Sequence, residues 1–123
     1  MSRTAKELGE TSLRRTKERD RDGWLALFAE DAVVEDPVGG KSRHEGIDAI
    51  ARFYDTTIST MESFEYEIER TYLCGSEAAM VIGFHIEIGG SRLDMDVVNI
   101  YAATDDGRIR SLRSFWDGTR QGG

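Results

Sequence analysis

A carboxylate and an amide stand at strand positions where the surrounding pattern expects apolar side chains. The carboxylate is Asp36, in Ala32-Val33-Val34-Glu35-Asp36-Pro37. Alternation along an extended chain puts Ala32, Val34 and Asp36 on one face, with Val33 and Glu35 on the other. Proline disfavours helical geometry at the residue before it, so Asp36 is expected to be extended. A carboxylate turned toward an apolar core loses hydration, its pKa rises, and it becomes a useful general base. The competing reading is a strand-end aspartate bonded to its own turn. The amide is Asn99. In Asp94-Met95-Asp96-Val97-Val98-Asn99-Ile100-Tyr101, it shares a face with Met95, Val97 and Tyr101. A buried amide must find partners or cost a few kcal/mol. It serves either the sheet alone or a ligand oxygen. In the last strand Leu112, Ser114 and Trp116 share one face, with Ser111, Arg113 and Phe115 on the other. Trp116 is either a flat wall for a site or ordinary core.

Other chemistries find little support. His44 falls in a polar loop, and His85 lies on the strand face opposite Phe84 and Ile86, toward solvent or a subunit contact. No His/Asp/Glu spacing resembles a metal site. No phosphate loop, dinucleotide fingerprint or Gly-x-Ser-x-Gly elbow occurs. Cys74, the one cysteine, has no histidine near it in sequence and cannot form a disulfide within the chain. It points to a reducing compartment, and a cytoplasmic location is expected. The net charge of −7 argues against nucleic acid and against anionic membranes as partners. No apolar run approaches the roughly 20 residues that span a bilayer. An apolar fraction of 39% with 32% charged residues suits an ordinary globular chain, and 123 residues fit one domain, 1–123, with a core of its own.

The elements that must position these groups follow from periodicity. A charged helix runs from about Thr4 to Arg19 with a thin apolar face of Ala5, Leu8, Ser12 and Leu13. Asp20 or Asp22 caps a short second helix carrying Trp24, Leu25, Leu27 and Phe28. A short strand covers Ala32 to Asp36, and a loop continues through His44. A third helix runs from about Ile47 to Ile58, burying Ile47, Ile50, Ala51, Tyr54 and Ile58. Four strands follow: one through Phe64, Tyr66 and Ile68, then Ala78–Ile88, Arg92–Ala103 and Arg108–Trp116. Gly89-Gly90 and Asp105-Asp106-Gly107 supply turns. Helices grouped ahead of an antiparallel meander give an α+β architecture, and a curved sheet with helices across its concave face encloses a pocket.

The stretch Asp22-Gly23-Trp24-Leu25-Ala26-Leu27-Phe28-Ala29-Glu30-Asp31-Ala32-Val33-Val34-Glu35-Asp36-Pro37-Val38-Gly39 closely resembles bacterial Δ5-3-ketosteroid isomerases. So do Ala49-Ile50-Ala51-Arg52-Phe53-Tyr54 and the ending Gly107 to Trp116. Val-Glu-Asp-Pro-Val-Gly is the most specific part. The wider group is SnoaL-like, within the nuclear-transport-factor-2-like (cystatin-like) superfamily. The resemblance implies a cone: a curved, mostly antiparallel sheet wrapped around a pocket by three helices.

It also implies roles. Asp36 takes the place of the family's general base, which moves a proton from the carbon beside a ketone and so shifts a double bond. Ser12 stands where the family has a catalytic tyrosine, and Asn99 where it has a protonated acid. Asn99 can still donate to an enolate oxygen, and Tyr54 matches a tyrosine that supports the oxyanion network, so Asp36, Asn99 and Tyr54 are the expected catalytic residues, the last two as oxyanion donors. Phe28, Val34, Phe53, Ile82, Phe84, Val97, Leu112 and Trp116 are expected to line an apolar pocket suited to a steroid-like molecule. No cofactor or metal is implied. The alternatives are a steroid-binding protein without chemistry, or a polyketide-cyclase or epoxide-hydrolase-like enzyme that uses Asp117. A homodimer through the outer sheet face, with Val98, Ile100 and Phe115 at the contact, is also expected.

Overall fold

The computed structural model describes residues 3–117. Helix α1 spans Ala5–Lys17 and starts with a reciprocal cap: the Glu7 amide donates to the Thr4 hydroxyl, and the Thr4 amide donates to the Glu7 carboxylate. Arg14, Arg15 and Lys17 sit in its last turn, where cations oppose the negative end of the helix dipole. Its buried stripe is Ala5, Leu8, Gly9, Ser12 and Leu13. Asp20 caps α2, Arg21–Leu25, by accepting from the Gly23 amide. Strand β1 is Phe28–Glu35 and β2 is Arg43–Glu45. Helix α3, Ile47–Thr56, follows, and a single 3-10 turn over Ile58–Thr60 leads into β3, Ser63–Cys74. Strands β4, Glu77–Ile88, β5, Ser91–Ala103, and β6, Ile109–Phe115, complete the order.

The six strands form one sheet in the order β2-β1-β6-β5-β4-β3. Every pairing is antiparallel except β1 with β6, which is parallel and brings the first strand beside the last. Helix α1 packs against β3, β4 and β5, and α3 against β1 and β2. The α+β class, the helix-first order and the mostly antiparallel sheet agree with the pattern read from the sequence. Among the described residues no helix is long and apolar enough to cross a membrane.

Three boundaries differ from expectation. β1 begins at Phe28 rather than Ala32, because Phe28 pairs with Ile109 and the Ile109 amide donates to Leu27 O at 2.7 Å. Leu27 and Phe28 look helical locally, but the distant strand claims their backbone groups. The segment expected to be loop contains β2, whose Arg43, His44 and Glu45 pair with Glu35, Val34 and Val33. Three polar residues carry no alternation to announce a strand. Finally α3 stops at Thr56, since Thr57 leaves helical geometry (φ −123°, ψ −64°).

The register lays the inner face out in transverse rows. Val34, Leu112, Tyr101 and Ala78 make one row, and Ser114, Asn99 and Met80 the next. Val97, Ile82 and Ile68 follow, then Met95, Phe84 and Tyr66. The core lies between these rows and the helices, with Leu8, Ile50, Val34, Met80 and Ile82 wholly buried. Burying one such side chain stabilises by about 1.5–3 kcal/mol. On the outer face Val81, Val98 and Phe115 align across β4, β5 and β6, and Ile100 lies beside Arg113. His85, also outward, spans Asp94 (2.6 Å) and Glu67 (2.9 Å), which raise its pKa by hydrogen bonding. Gly83 leaves the space through which Glu67 reaches: a Cβ there would lie 2.5 Å from Glu67 Oε1.

Candidate active site

Asp36 follows the last residue of β1, one step beyond the Glu35–Arg113 pair. Its amide donates to Ser42 O at 3.0 Å, and the Val38 amide donates to Ser114 O at 2.9 Å. These backbone bonds seat the carboxylate at the end of the Ser114–Asn99–Met80 row. Trp116, just past β6, donates its indole N–H to Asp36 Oδ1 at 2.5 Å. Asp36 Oδ2 has no hydrogen-bond partner among the described residues. Burial raises the Asp36 pKa above the ordinary carboxylate value, and the Trp116 hydrogen bond partly offsets that rise.

Asn99 and Ser114 face each other across β5 and β6, and both are buried. The Ser114 hydroxyl donates to Asn99 Oδ1. Asn99 Nδ2 donates to the Tyr101 phenol oxygen at 3.1 Å, and Ser12 Oγ lies 3.1 Å from that same oxygen. Ser12 Oγ is also 2.9 Å from Gly9 O in its own helix. The result is a continuous polar thread, Ser114–Asn99–Tyr101–Ser12, joining β6, β5 and α1 inside an apolar core. An amide group carries two N–H donors, and the second hydrogen of Asn99 has no acceptor among the described residues. That is an unusual state for a group 4% exposed, and it marks a place for an acceptor.

Tyr101 is 1% exposed, and burial pushes its pKa up to about 12 despite hydrogen bonds from Ser12 and Asn99. The charge of Asp36 is felt at the phenol and pushes in the same direction. The ring fits because α1 has glycine above it. A Cβ on Gly9 would lie 2.9 Å from two Tyr101 ring carbons and 2.5 Å from Met80 Sδ.

The structure therefore gathers Asp36, Asn99 and Trp116 at one end of the inner face. Tyr54 is elsewhere. Its ring tilts against Trp24 with centroids 5.3 Å apart, and burial raises its pKa. The charges it feels are Arg19, Asp20, Arg21 and Asp55, on the helical side. It borders a narrow cleft of about 20 Å³ with Thr16, Lys17, Arg19, Ile58, Met61 and Phe64, room for one water. Of the apolar residues expected to line a pocket, Phe28, Val34, Phe53, Ile82, Val97 and Leu112 are buried, while Phe84 and Trp116 are half-buried. A wider groove of about 440 Å³ lies on the outer side of β1 and β6, among Asp31, Glu35, Arg43, Arg110 and Arg113. Neither concavity is lined by Asp36, Asn99 or those eight residues. His44, in β2, packs its ring on Phe53 at 4.6 Å and bonds Ser42 at 2.9 Å.

Sequence reasoning singled out Asp36 and Asn99 and passed over Tyr101. The available signal was its place two residues after Asn99 on the same face. Among the described residues no group of three or more His, Cys, Asp or Glu side chains is arranged to hold a metal ion.

Residues 10–112 match the SnoaL-like domain. The steroid Delta-isomerase of Nocardioides simplex is 31% identical over 91 residues, 74% of this chain and 72% of that protein. The Delta 5-3-ketosteroid isomerase from a Mycobacterium species superimposes with a TM-score of 0.82 at 32% identity, covering 89% of this chain and 90% of the other. RV0760c from Mycobacterium tuberculosis, solved in complex with estradiol-17beta-hemisuccinate, gives a TM-score of 0.82 at 30% identity over 89% of this chain and 91% of the other.

Proposed function

The chain belongs to the SnoaL-like family, and from that footing we propose that it is a ketosteroid-isomerase-like enzyme that shifts a carbon–carbon double bond by proton transfer beside a ketone. The observation that carries this reading is the half-buried Asp36 carboxylate, raised in pKa and held by Trp116, at the end of the row that includes Asn99, whose second N–H has no acceptor among the described residues. A base at the end of the row and a donor within it suit a substrate whose carbonyl lies at Asn99 and whose acidic carbon lies at Asp36.

In the proposed reaction Asp36 removes a proton from the carbon between the carbonyl and the alkene. The C–H electron pair moves into a new C=C bond and the carbonyl oxygen becomes an enolate. The Asn99 N–H stabilises that charge. The carboxylic acid formed on Asp36 returns the same proton to the far end of the conjugated system, and the double bond has moved with no net gain or loss of atoms. The relatives' steroid chemistry and the apolar surroundings support a flat, steroid-like substrate. We place the protein in the cytoplasm, as its lone exposed thiol suggests, and propose a homodimer through the outer sheet face, with Val98, Ile100 and Phe115 at the contact.

Steady-state turnover of a Δ5-3-ketosteroid by the parent and by Asp36→Asn tests the reading. Loss of a general base lowers kcat by about 10²–10⁴. Equal rates in the two proteins remove Asp36 from the chemistry. Tight steroid binding without turnover in the parent makes it a binding protein on the same fold.

A further inference from the structure

We propose that Tyr101 is the second oxyanion donor of this site, its phenol oxygen held by Asn99 and Ser12 so that its own proton can be turned onto the substrate oxygen. The inference rests on the proton-transfer reading above and names the residue that completes it.

Counting protons along the buried thread leads to this role. Ser12 has one hydroxyl hydrogen, yet its oxygen lies within hydrogen-bond reach of both Gly9 O and the Tyr101 oxygen. Two arrangements satisfy the distances. In the first, Ser12 donates to Gly9 O and Tyr101 donates to Ser12. In the second, Ser12 donates to Tyr101, which then accepts from both Ser12 and Asn99, and the phenol hydrogen is released from the thread. Rotation of two hydroxyls converts one into the other without moving a heavy atom. The second arrangement suits a ligand oxygen carrying negative charge. Two donors on the phenol oxygen polarise its O–H, and a phenol with a pKa near 12 stays protonated at working pH.

Asn99 couples the two donors. Its oxygen is taken by Ser114 and one N–H by Tyr101, which leaves the other N–H without an acceptor among the described residues. One enolate oxygen placed against Asn99 and Tyr101 would satisfy that amide and accept the released phenol proton. The small residues of α1 fit the same account. Gly9 and Ser12 sit over the Tyr101 ring and oxygen, so the helix gives the phenol both its space and its relay.

Tyr101→Phe keeps the ring that packs under Gly9 and removes only the oxygen. Kinetics with a Δ5-3-ketosteroid and titration with estradiol, a phenol that mimics the enolate, provide two separate readouts. Loss of one oxyanion donor is expected to lower kcat by about 10²–10³ with a much smaller change in KM. The absorbance of bound estradiol should show its ionisation displaced to higher pH by about one unit or more relative to the parent complex. Ser12→Ala should shift both quantities in the same direction by less, and it carries the test should Tyr101→Phe fail to fold. The proposal is overturned by a Tyr101→Phe protein with kcat within roughly threefold of the parent and unchanged ionisation of bound estradiol, or by a parent that binds no estradiol. A parent with no turnover, or an Asp36→Asn protein as fast as the parent, removes the isomerase reading instead. Bound-estradiol ionisation then still decides whether Tyr101 stabilises an oxyanion.

Discussion

The indole N–H of Trp116 donates to Asp36 Oδ1 at 2.5 Å, linking residues 80 positions apart in the chain. The bond favours the charged carboxylate while burial opposes it, and burial prevails. Replacing Trp116 by phenylalanine removes the favourable part. The Asp36 pKa should then rise further, as expected for loss of a hydrogen bond to a charged group. The acid limb of kcat/KM against pH, which reports the base in the free enzyme, should move to higher pH with it. An unmoved limb, or one moved downward, contradicts the assignment.

The same burial affects stability. Asp36 has a folded pKa above its unfolded value, so ionisation costs the folded state. The cost is absent below the unfolded pKa, grows as pH rises between the two values and is complete above the folded one. Asp36→Asn should therefore stabilise the protein at neutral pH and raise its Tm, and the gain should vanish in acid. Asparagine keeps an oxygen for the Trp116 N–H, so the comparison isolates the charge. Thermal melts of both proteins across pH would show it, and a neutral-pH melt in which Asp36→Asn is the less stable protein contradicts the sign.

Gly9→Ala sets two effects against each other. In an exposed helix interior alanine is better than glycine by about 0.8–1 kcal/mol. Here the new methyl meets Met80 Sδ at 2.5 Å and the Tyr101 ring at 2.9 Å. Methionine can bend away, but Tyr101 is fixed by Ser12 and Asn99. Overpacking should prevail and destabilise by about 1–3 kcal/mol in denaturant unfolding. A stabilised Gly9→Ala would mean that the ring yields easily.

The outer row Val81–Val98–Phe115 presents apolar surface, with Phe115 38% exposed. Light scattering at micromolar concentration should give the mass of a dimer. Val98→Asp, placing a charge in the middle of that row, should give the mass of a monomer. A monomeric parent rules out the contact.

Much of this arrangement could be read in the sequence because period-two alternation survives in the folded sheet. Asp36 follows Ala32 and Val34 onto the inner face, and Asn99 follows Val97, as alternation requires. The helix spacing of Ile50 and Tyr54 likewise matches the buried side of α3. Alternation says nothing about which strands become neighbours. The parallel pairing of β1 with β6 and the polar strand β2 depend on partners far away in sequence. Tyr101 was hidden for a related reason. An aromatic ring on an apolar face looks like packing until the helix above it is placed and its hydroxyl is seen to meet Ser12.

The place of β6 between β1 and β5 also sets an order of events during synthesis. Asp36 emerges from the ribosome early, Asn99 much later, and the strand that separates and aligns them is the last of the six. Until that strand docks, β1 is paired only with the short β2, Asp36 lacks the indole N–H of Trp116, and Asn99 lacks the Ser114 hydroxyl that orients it. A growing chain can thus assemble the β3–β4–β5 meander early, from local contacts, while its reactive end waits for the final docking step.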